Sequence, residues 1–362
     1  MDYNNPKLIL NTSDVNAGTI HWQSPSNIAL IKYWGKHENQ LPRNASLSFT
    51  LSKSLTHTKL SYQPKLGTDK GLDLQYFFEG KQEDAFGKRV TKFLESLYPI
   101  FPFLKQLEFE IHSSNTFPHS SGIASSASAF SALALCLCSL EDRLFGTLRN
   151  DSDFRRKASF IARLGSGSAS RSIFAKAGMW GHHSGVEESS DEFAIDFSSF
   201  LHEKFHKFHD YILIVDAGTK RISSSRGHEL MNEHPFAEAR YKQAHKNLTT
   251  LRGALERGDI ELTGRIAESE ALTLHGLMMS STTPYILFQP NTVKVLQLIE
   301  EFKKSTGHPI FFTLDAGANV HMLFPDYVKK DVDSFTDNVL VPWCQDGQVI
   351  RDMIGDGPLE VD

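Results

Sequence analysis

From residue 19 to residue 62 apolar and polar positions alternate, many of them β-branched, and Ser-Pro and Leu-Pro dipeptides interrupt the run. That pattern predicts several strands joined by turns. Residues 82–98 carry helical spacing, and residues 106–112 (QLEFEIH) alternate as a strand. In the stretch NTFPHSSGIASSASAFSALALCLCSL, Ile123, Ala127, Phe130, Leu133, Ala134 and Leu137 recur at helical intervals, so a Ser/Gly loop feeds directly into a buried helix. A helix over 153–164 should stop near Gly165, and the loop GSGSAS then leads through Arg171 into a further helical run. Residues 211–217 (YILIVDA) read as a buried strand. Two long helical patterns follow, with Pro235 in the first turn of one and Gly258-Asp259 between them. A helix over 291–306 is expected between Asn291 as N-cap and Gly307 as C′ residue. PIFFTLDAGANVHMLF closes the series as two strands around an Asp-Ala-Gly-Ala-Asn turn.

Strands and helices in mixed order give an α+β architecture. With 362 residues the chain is long for one core and suits two domains, and a change near residue 205, after the polar stretch HEKFHKFHD, divides it into 1–205 and 206–362. Hydrophobic residues at 40% and charged residues at 22% are those of a soluble globular protein. A formal charge of −5 leaves no basic excess for nucleic acid, so an anionic ligand would need a local basic cluster. Three cysteines, Cys136, Cys138 and Cys344, make a poor disulfide framework and read as buried free thiols in a reducing compartment. No apolar stretch approaches the roughly 20 residues of a membrane span, and the first residues lack the pattern of a secretory signal. The expected location is the cytoplasm.

Four segments carry candidate chemistry. At 118–127 small residues allow close backbone approach, Ser120, Ser121, Ser125 and Ser126 offer hydroxyls, and the following helix turns its free amides into the loop. Such a helix start is an anion site, although capping alone also accounts for a Ser-rich start. The Gly-Lys-Ser/Thr ending of a P-loop is absent. In the second small-residue loop Arg171 stands in an uncharged setting. Its guanidinium suits a carboxylate or phosphate, or equally a structural acid. NIALIKYWGK places Lys32, Tyr33, Trp34 and Lys36 at the end of an apolar strand, where the lysines either hold an anion or are simply solvated. Asp315 sits where strand becomes tight turn, placed either to accept a proton or to start the turn by bonding its own backbone.

Taken together, SPSNIALIKYWGK, LPRNASLSFTL, NTFPHSSGIASSASAF, RLGSGSASRSIF and TLDAGANVHMLF resemble, in that order, the motifs of the diphosphomevalonate decarboxylase family within the GHMP kinase superfamily. The Gly-Glu-His first motif of mevalonate and galactose kinases is missing. The resemblance implies an N-terminal domain like domain 2 of ribosomal protein S5, a ferredoxin-like C-terminal domain, a cleft between them, and a homodimer. It implies ATP and Mg2+ as cofactors and mevalonate 5-diphosphate as substrate, with no nucleic-acid or membrane partner. Asp315 matches the aspartate that orients or deprotonates the 3-hydroxyl, Arg171 the arginine that fixes the substrate carboxylate, and Lys32 a lysine near the reacting groups. Tyr33, Lys36, Ser224, Ser225 and Arg226 match diphosphate contacts, and Ser168 a substrate contact. Ser120, Ser121, Gly122, Ser125 and Ser126 would face the nucleotide, the last two also its magnesium. Arg43 and His119 depart from the relatives' pattern. Rival readings are a phosphomevalonate decarboxylase, a kinase that does not decarboxylate, and a non-catalytic ligand-binding homologue. The functional reading requires the Asp315 turn, Arg171 and the serine-lined helix start to share one crevice.

Overall fold

The computed structural model describes residues 2–66, 71–118, 123, 125–218 and 224–361, with residues 224 and 225 described by their backbone alone. His119, Ser120, Ser121 and Gly122 lie outside the described residues.

The alternating segment near the N-terminus forms two long strands in place of several short ones: β1 (Gly18–Ile31) and β2 (Ser46–Pro64). They pair antiparallel, with register shifts between Pro25 and Asn27 and between Ala29 and Ile31. These irregularities bend the pair and let one strand serve two neighbours. Thr56–Pro64 of β2 pairs with β5 (Leu107–Asn115), while Ser46–Phe49 pairs with β6 (Ala177–Trp180), which in turn carries β7 (Ala194–Asp196). β3 (Asp73–Phe78) joins β5 in parallel, β4 (Lys81–Gln82) closes one edge, and β12 (Leu359–Glu360) returns from the end of the chain to β1.

Against this sheet pack α1 (Asp84–Ser96), α2 (Ser125–Phe145) and α3 (Asp151–Gly165). Ala and Leu cover α2 on most of its surface, which is why it runs buried through the first core together with Cys136 and Cys138. All three cysteines are free and buried. After α3 a 3-10 helix, Gly167–Ile173, carries Arg171 where a loop was expected, and β6 follows it in place of the expected helical run.

The second half is built on an antiparallel sheet in the order β11-β8-β10-β9, formed by β8 (Phe208–Leu213), β9 (Phe311–Thr313), β10 (Val320–Pro325) and β11 (Val349–Met353). The short helix α4 (Ser224–Glu229) precedes α5 (Ala237–Arg257) and α6 (Ile260–Met279). Gly258 ends α5 in the left-handed region, and the Asp259 side chain caps α6 by accepting from the Leu262 N–H. Pro235 lies just ahead of α5, with Phe236 as its N-cap. In α7 (Pro290–Thr306) the N-cap is Gln289 in a capping box with Thr292, and Pro290 takes the first position. Asn291 therefore falls inside the first turn, and its amide donates to the Trp343 carbonyl instead. Helix α8 (Lys329–Phe335) covers the far side of this sheet.

One hydrophobic core crosses the seam between the halves, joining Ile28, Leu47 and Phe49 of the first sheet to Ile212, Leu248 and Phe311 of the second half. Where β2 changes partner, Asp352 of β11 accepts from the Ser52, Lys53 and Ser54 N–H groups at 2.7–3.0 Å. Next to it Gly355 passes so close to Leu51 that a Cβ would stand 2.4 Å from the Leu51 carbonyl oxygen. The carboxylate substitutes for ladder bonds that β2 lacks at its bend. No helix among the described residues is long and apolar enough to cross a membrane.

Asp352→Ala strips partners from three backbone donors at once. It is expected to destabilise the protein by about 2–3 kcal/mol, read as a lower midpoint in chemical denaturation with an unchanged slope.

Candidate active site

The site begins where β1 runs out of apolar residues. Ile28, Leu30 and Ile31 are buried, and the strand delivers Lys32 into the seam with 2% of its side chain exposed. Both backbone groups of Lys32 are held from the second half. Its N–H donates to Glu270 Oε2 at 2.9 Å, and its carbonyl accepts from Arg240 Nη2 at 3.1 Å and from Asn44 Nδ2 at 3.0 Å. Glu270 on α6 and Arg240 on α5 pair with each other at 2.5 and 2.7 Å, and Asn247 donates a further bond to Glu270. Both members are buried, so each needs the other's charge.

The Lys32 ammonium donates to Asp315 Oδ1 at 2.9 Å. Asp315 lies in the turn between β9 and β10, 28% exposed, so this end of the pair opens outward. His275 meets the Asp315 carbonyl at 3.1 Å, and the Thr313 hydroxyl donates to the Ala29 carbonyl, fastening the turn against β1. Burial lowers the Lys32 pKa, and the Asp315 charge opposes that fall.

Arg171 is buried beside this pair. Its donors go to Ser46 Oγ at 2.7 Å, to Ser48 Oγ, and to Asn27 Oδ1 at 3.4 Å. All three partners are neutral, and among the described residues no carboxylate lies within salt-bridge distance of Arg171. Burial lowers its pKa to about 10, against the pull of Asp315, which leaves it a cation at neutral pH. Asn27 also donates to the Ser168 carbonyl and the Ser172 hydroxyl, so it ties the Arg171 loop to β1. The small residues of this loop have a local reason: a Cβ on Gly167 would stand 2.7 Å from the Trp180 ring and 3.0 Å from Tyr33.

Tyr33 packs edge-on against Trp180 and tilted against His228, with its hydroxyl buried and unpartnered among the described residues. Burial holds it as the neutral phenol. Lys36 is half-buried and donates to Gln40 at 2.8 Å, and burial again lowers its pKa. Arg226 is exposed on α4 and pairs with Glu229 at 3.1 Å. At the first turn of α2 the Ser126 hydroxyl lies 3.2 Å from that of Ser166, which brings the two small-residue loops together. Ser125 opens the same helix. Lys32, Asp315, Arg171, Ser168 and Tyr33 thus come together at the seam, with Ser126 adjoining through Ser166. Lys36 donates to Gln40 and Arg226 to Glu229, away from this group.

Several residues of this arrangement escaped the sequence reading. Ser46 and Ser48 alternate with buried Leu47 and Phe49, a polar period of two on an apolar strand, and that signal could have found them. Glu270, Arg240 and His228 have no such mark, since lone charged or polar residues on helices usually face solvent. Arg89 of α1 lies over the Phe130 ring at 4.9 Å, within electrostatic reach of Lys36.

Two family profiles match the chain. One is described as the diphosphomevalonate decarboxylase-like N-terminal domain, over residues 24–194, and the other as the mevalonate 5-diphosphate decarboxylase C-terminal domain, over 211–352. A diphosphomevalonate decarboxylase of Debaryomyces hansenii is 30% identical, over 82% of this chain and 76% of its own length. This chain belongs to the diphosphomevalonate decarboxylase family. A phosphomevalonate decarboxylase of Haloferax volcanii is 26% identical over 81% of this chain and 84% of its own. Among solved structures, MDDEF in complex with MVAPP, AMPPCP and magnesium superposes with a TM-score of 0.79 at 26% identity, covering 96% of this chain and 100% of that one. The match supports the two-domain GHMP-kinase fold.

Breaking the clamp should separate structure from chemistry in this decarboxylase fold. Glu270→Ala is expected to cost about 3–5 kcal/mol by stranding Arg240. The double replacement Arg240→Met with Glu270→Leu should regain most of that stability but not the activity, because Lys32 loses two of its backbone partners. Denaturation and turnover measured on the same samples check both halves.

Proposed function

We propose that this chain catalyses the ATP-dependent decarboxylation of mevalonate 5-diphosphate to isopentenyl diphosphate, with ADP, phosphate and carbon dioxide as co-products. The observation that carries the proposal is the pairing of unlike groups at the seam. A buried guanidinium with only neutral partners stands beside a lysine–aspartate pair that opens outward. The first suits an anionic carboxylate, and the second suits a hydroxyl that must lose its proton.

In this reading Arg171 holds the substrate carboxylate, assisted by Ser168, and Asp315 faces the 3-hydroxyl. Lys32 donates to Asp315 Oδ1 and fixes its direction. The γ-phosphoryl group is transferred to the hydroxyl oxygen with ADP as the leaving group, and the hydroxyl proton passes to Asp315 and from it to solvent before the C–O bond breaks. The tertiary C–O bond then breaks and its electron pair departs with phosphate. The bond to the carboxylate breaks next, its electrons forming the new double bond as carbon dioxide leaves. Positive charge at the tertiary carbon is tolerable, and Asp315 stabilises it electrostatically. Arg171 releases its hold only when the carboxylate becomes neutral carbon dioxide.

Tyr33 and Lys36, with Ser224, Ser225 and Arg226, hold the diphosphate. The α2 helix start, with Ser125 and Ser126, holds the nucleotide phosphates together with Ser120, Ser121 and Gly122. The described residues contain no cluster of three or more metal-ligating side chains. Magnesium would be held by the Ser125 and Ser126 hydroxyls together with the nucleotide phosphates, and would supply charge screening there. The same reading makes the chain a cytoplasmic homodimer, with residues 1–205 carrying the nucleotide and 206–362 completing the cleft.

A second reading is favoured by the match to a phosphomevalonate decarboxylase. Incubation with ATP, magnesium and either mevalonate 5-phosphate or mevalonate 5-diphosphate separates the two. We expect carbon dioxide and isopentenyl diphosphate from the diphosphate only; equal or better release from the monophosphate would replace the proposal with its rival.

Asp315→Asn is expected to lower turnover by about 10³ or more while substrate affinity stays within a few-fold. Arg171→Gln is expected to impair turnover severely as well, since bidentate anchoring is lost. Near-normal steady-state turnover in either variant would remove that residue from its role.

A further inference from the structure

His228 has no part in the chemistry above, yet it stands between two segments assigned to the diphosphate. It lies in α4 two residues after Arg226, and its Nδ1 accepts from the Gly35 N–H at 2.9 Å. Its ring packs against both neighbours of that glycine on the N-terminal side, Tyr33 at 4.3 Å and Trp34 at 4.7 Å between centroids. His228 is buried, as is Gly35. The Gly35 N–H therefore depends on this acceptor.

The surrounding geometry allows little slack. Gly35 has φ +94°, a conformation that favours glycine, and a Cβ there would meet the Tyr241 hydroxyl at 2.4 Å. On the α4 side, a Cβ on Gly227 would stand 2.4 Å from the Trp34 ring. The α4 backbone thus touches the Trp34 ring on one flank of the hydrogen bond, while Tyr241 of α5 closes on Gly35 itself. Glu229, the residue after His228, lies within electrostatic reach of Lys36. Burial lowers the His228 pKa to about 3, so near neutrality the ring is uncharged and Nδ1 keeps its lone pair.

We propose that His228 is a positioning residue that couples the Gly35–Lys36 turn to α4, so that Lys36 and Arg226 close together on one diphosphate group. This rests on the reading of Lys36 and Ser224–Arg226 as diphosphate contacts. It goes beyond that reading in making the two arms interdependent. Loss of the acceptor frees the Gly35 turn, and the arms then bind phosphate groups separately.

The test uses the whole chain with inorganic diphosphate as probe in titration calorimetry. His228→Leu removes the acceptor and should bind diphosphate roughly tenfold more weakly. His228→Asn, whose Oδ1 replaces the Nδ1 acceptor, should bind within about threefold of the wild type. In steady-state assays His228→Leu should raise KM for mevalonate 5-diphosphate by about the same tenfold, with kcat and KM for ATP changed less than about threefold. Unchanged diphosphate binding in His228→Leu overturns the proposal, as does an Asn variant as weak as the Leu one, or a fall in kcat with KM unmoved. Should His228→Leu fail to fold, His228→Phe fills the ring site without an acceptor and takes its place. A wild type that binds diphosphate but releases no carbon dioxide from mevalonate 5-diphosphate defeats the functional reading alone, and the binding series still decides His228.

Discussion

Lys32 leaves the end of β1 with its N–H and its carbonyl both claimed by a buried ion pair from the opposite half of the molecule, Glu270 and Arg240. Two charges out of water cost several kcal/mol each before their attraction and hydrogen bonds offset it. Such a pair is therefore a poor source of stability, and a precise one of position. It sets where the strand ends, and through the strand end it sets the ammonium that meets Asp315. Neither half of the chain alone presents this arrangement, because the strand comes from one and the clamp from the other.

The same constraint organises the charge of the site. The protein is mildly acidic overall, yet Lys32, Arg171, Lys36, Arg89 and Arg163 lie within electrostatic reach of one another or of Tyr33. A substrate bearing a carboxylate and a diphosphate needs local cations, not a basic protein. Arg163 and Arg171 are held by neutral carbonyls, hydroxyls and amides rather than by acids. Glu192 and Asp191 lie within electrostatic reach of Arg163, whereas among the described residues Arg171 has only the distant pull of Asp315 and can take a ligand's charge. Asp315 is the exception, already paired, and its proposed duty is to act on a hydroxyl rather than to bind an anion.

Small residues recur where backbone or rings must come close. Gly35 and Gly227 admit Tyr241 and Trp34, Gly167 admits Trp180 and Tyr33, and Gly355 admits the Leu51 carbonyl. In a sequence these glycines look like loop punctuation. In the fold they are contact surfaces, and around them Tyr33 and Trp34 pack tilted against the His228 ring.

Local periodicity was enough to foresee α1, α2, α3, β5 and the two helices separated by Gly258-Asp259, because each depends on contacts a few residues apart. The motif order pointed to the family for the same reason, each motif being a short local run of residues. Local rules failed where a distant partner intervened. β1 runs on through Ser24-Pro25, where a turn was expected, because a register shift absorbs it, and Asp352, some 300 residues away, supports the bend of β2. Asn291 gave its capping place to Gln289 because Trp343 takes its side chain. That Lys32 would land on Asp315, 283 positions later, and that Glu270 and Arg240 would be its clamp, was decided only by tertiary structure. A lone charged residue carries no periodic trace of its partner. Its burial and pairing exist only once the two halves have closed on a shared core.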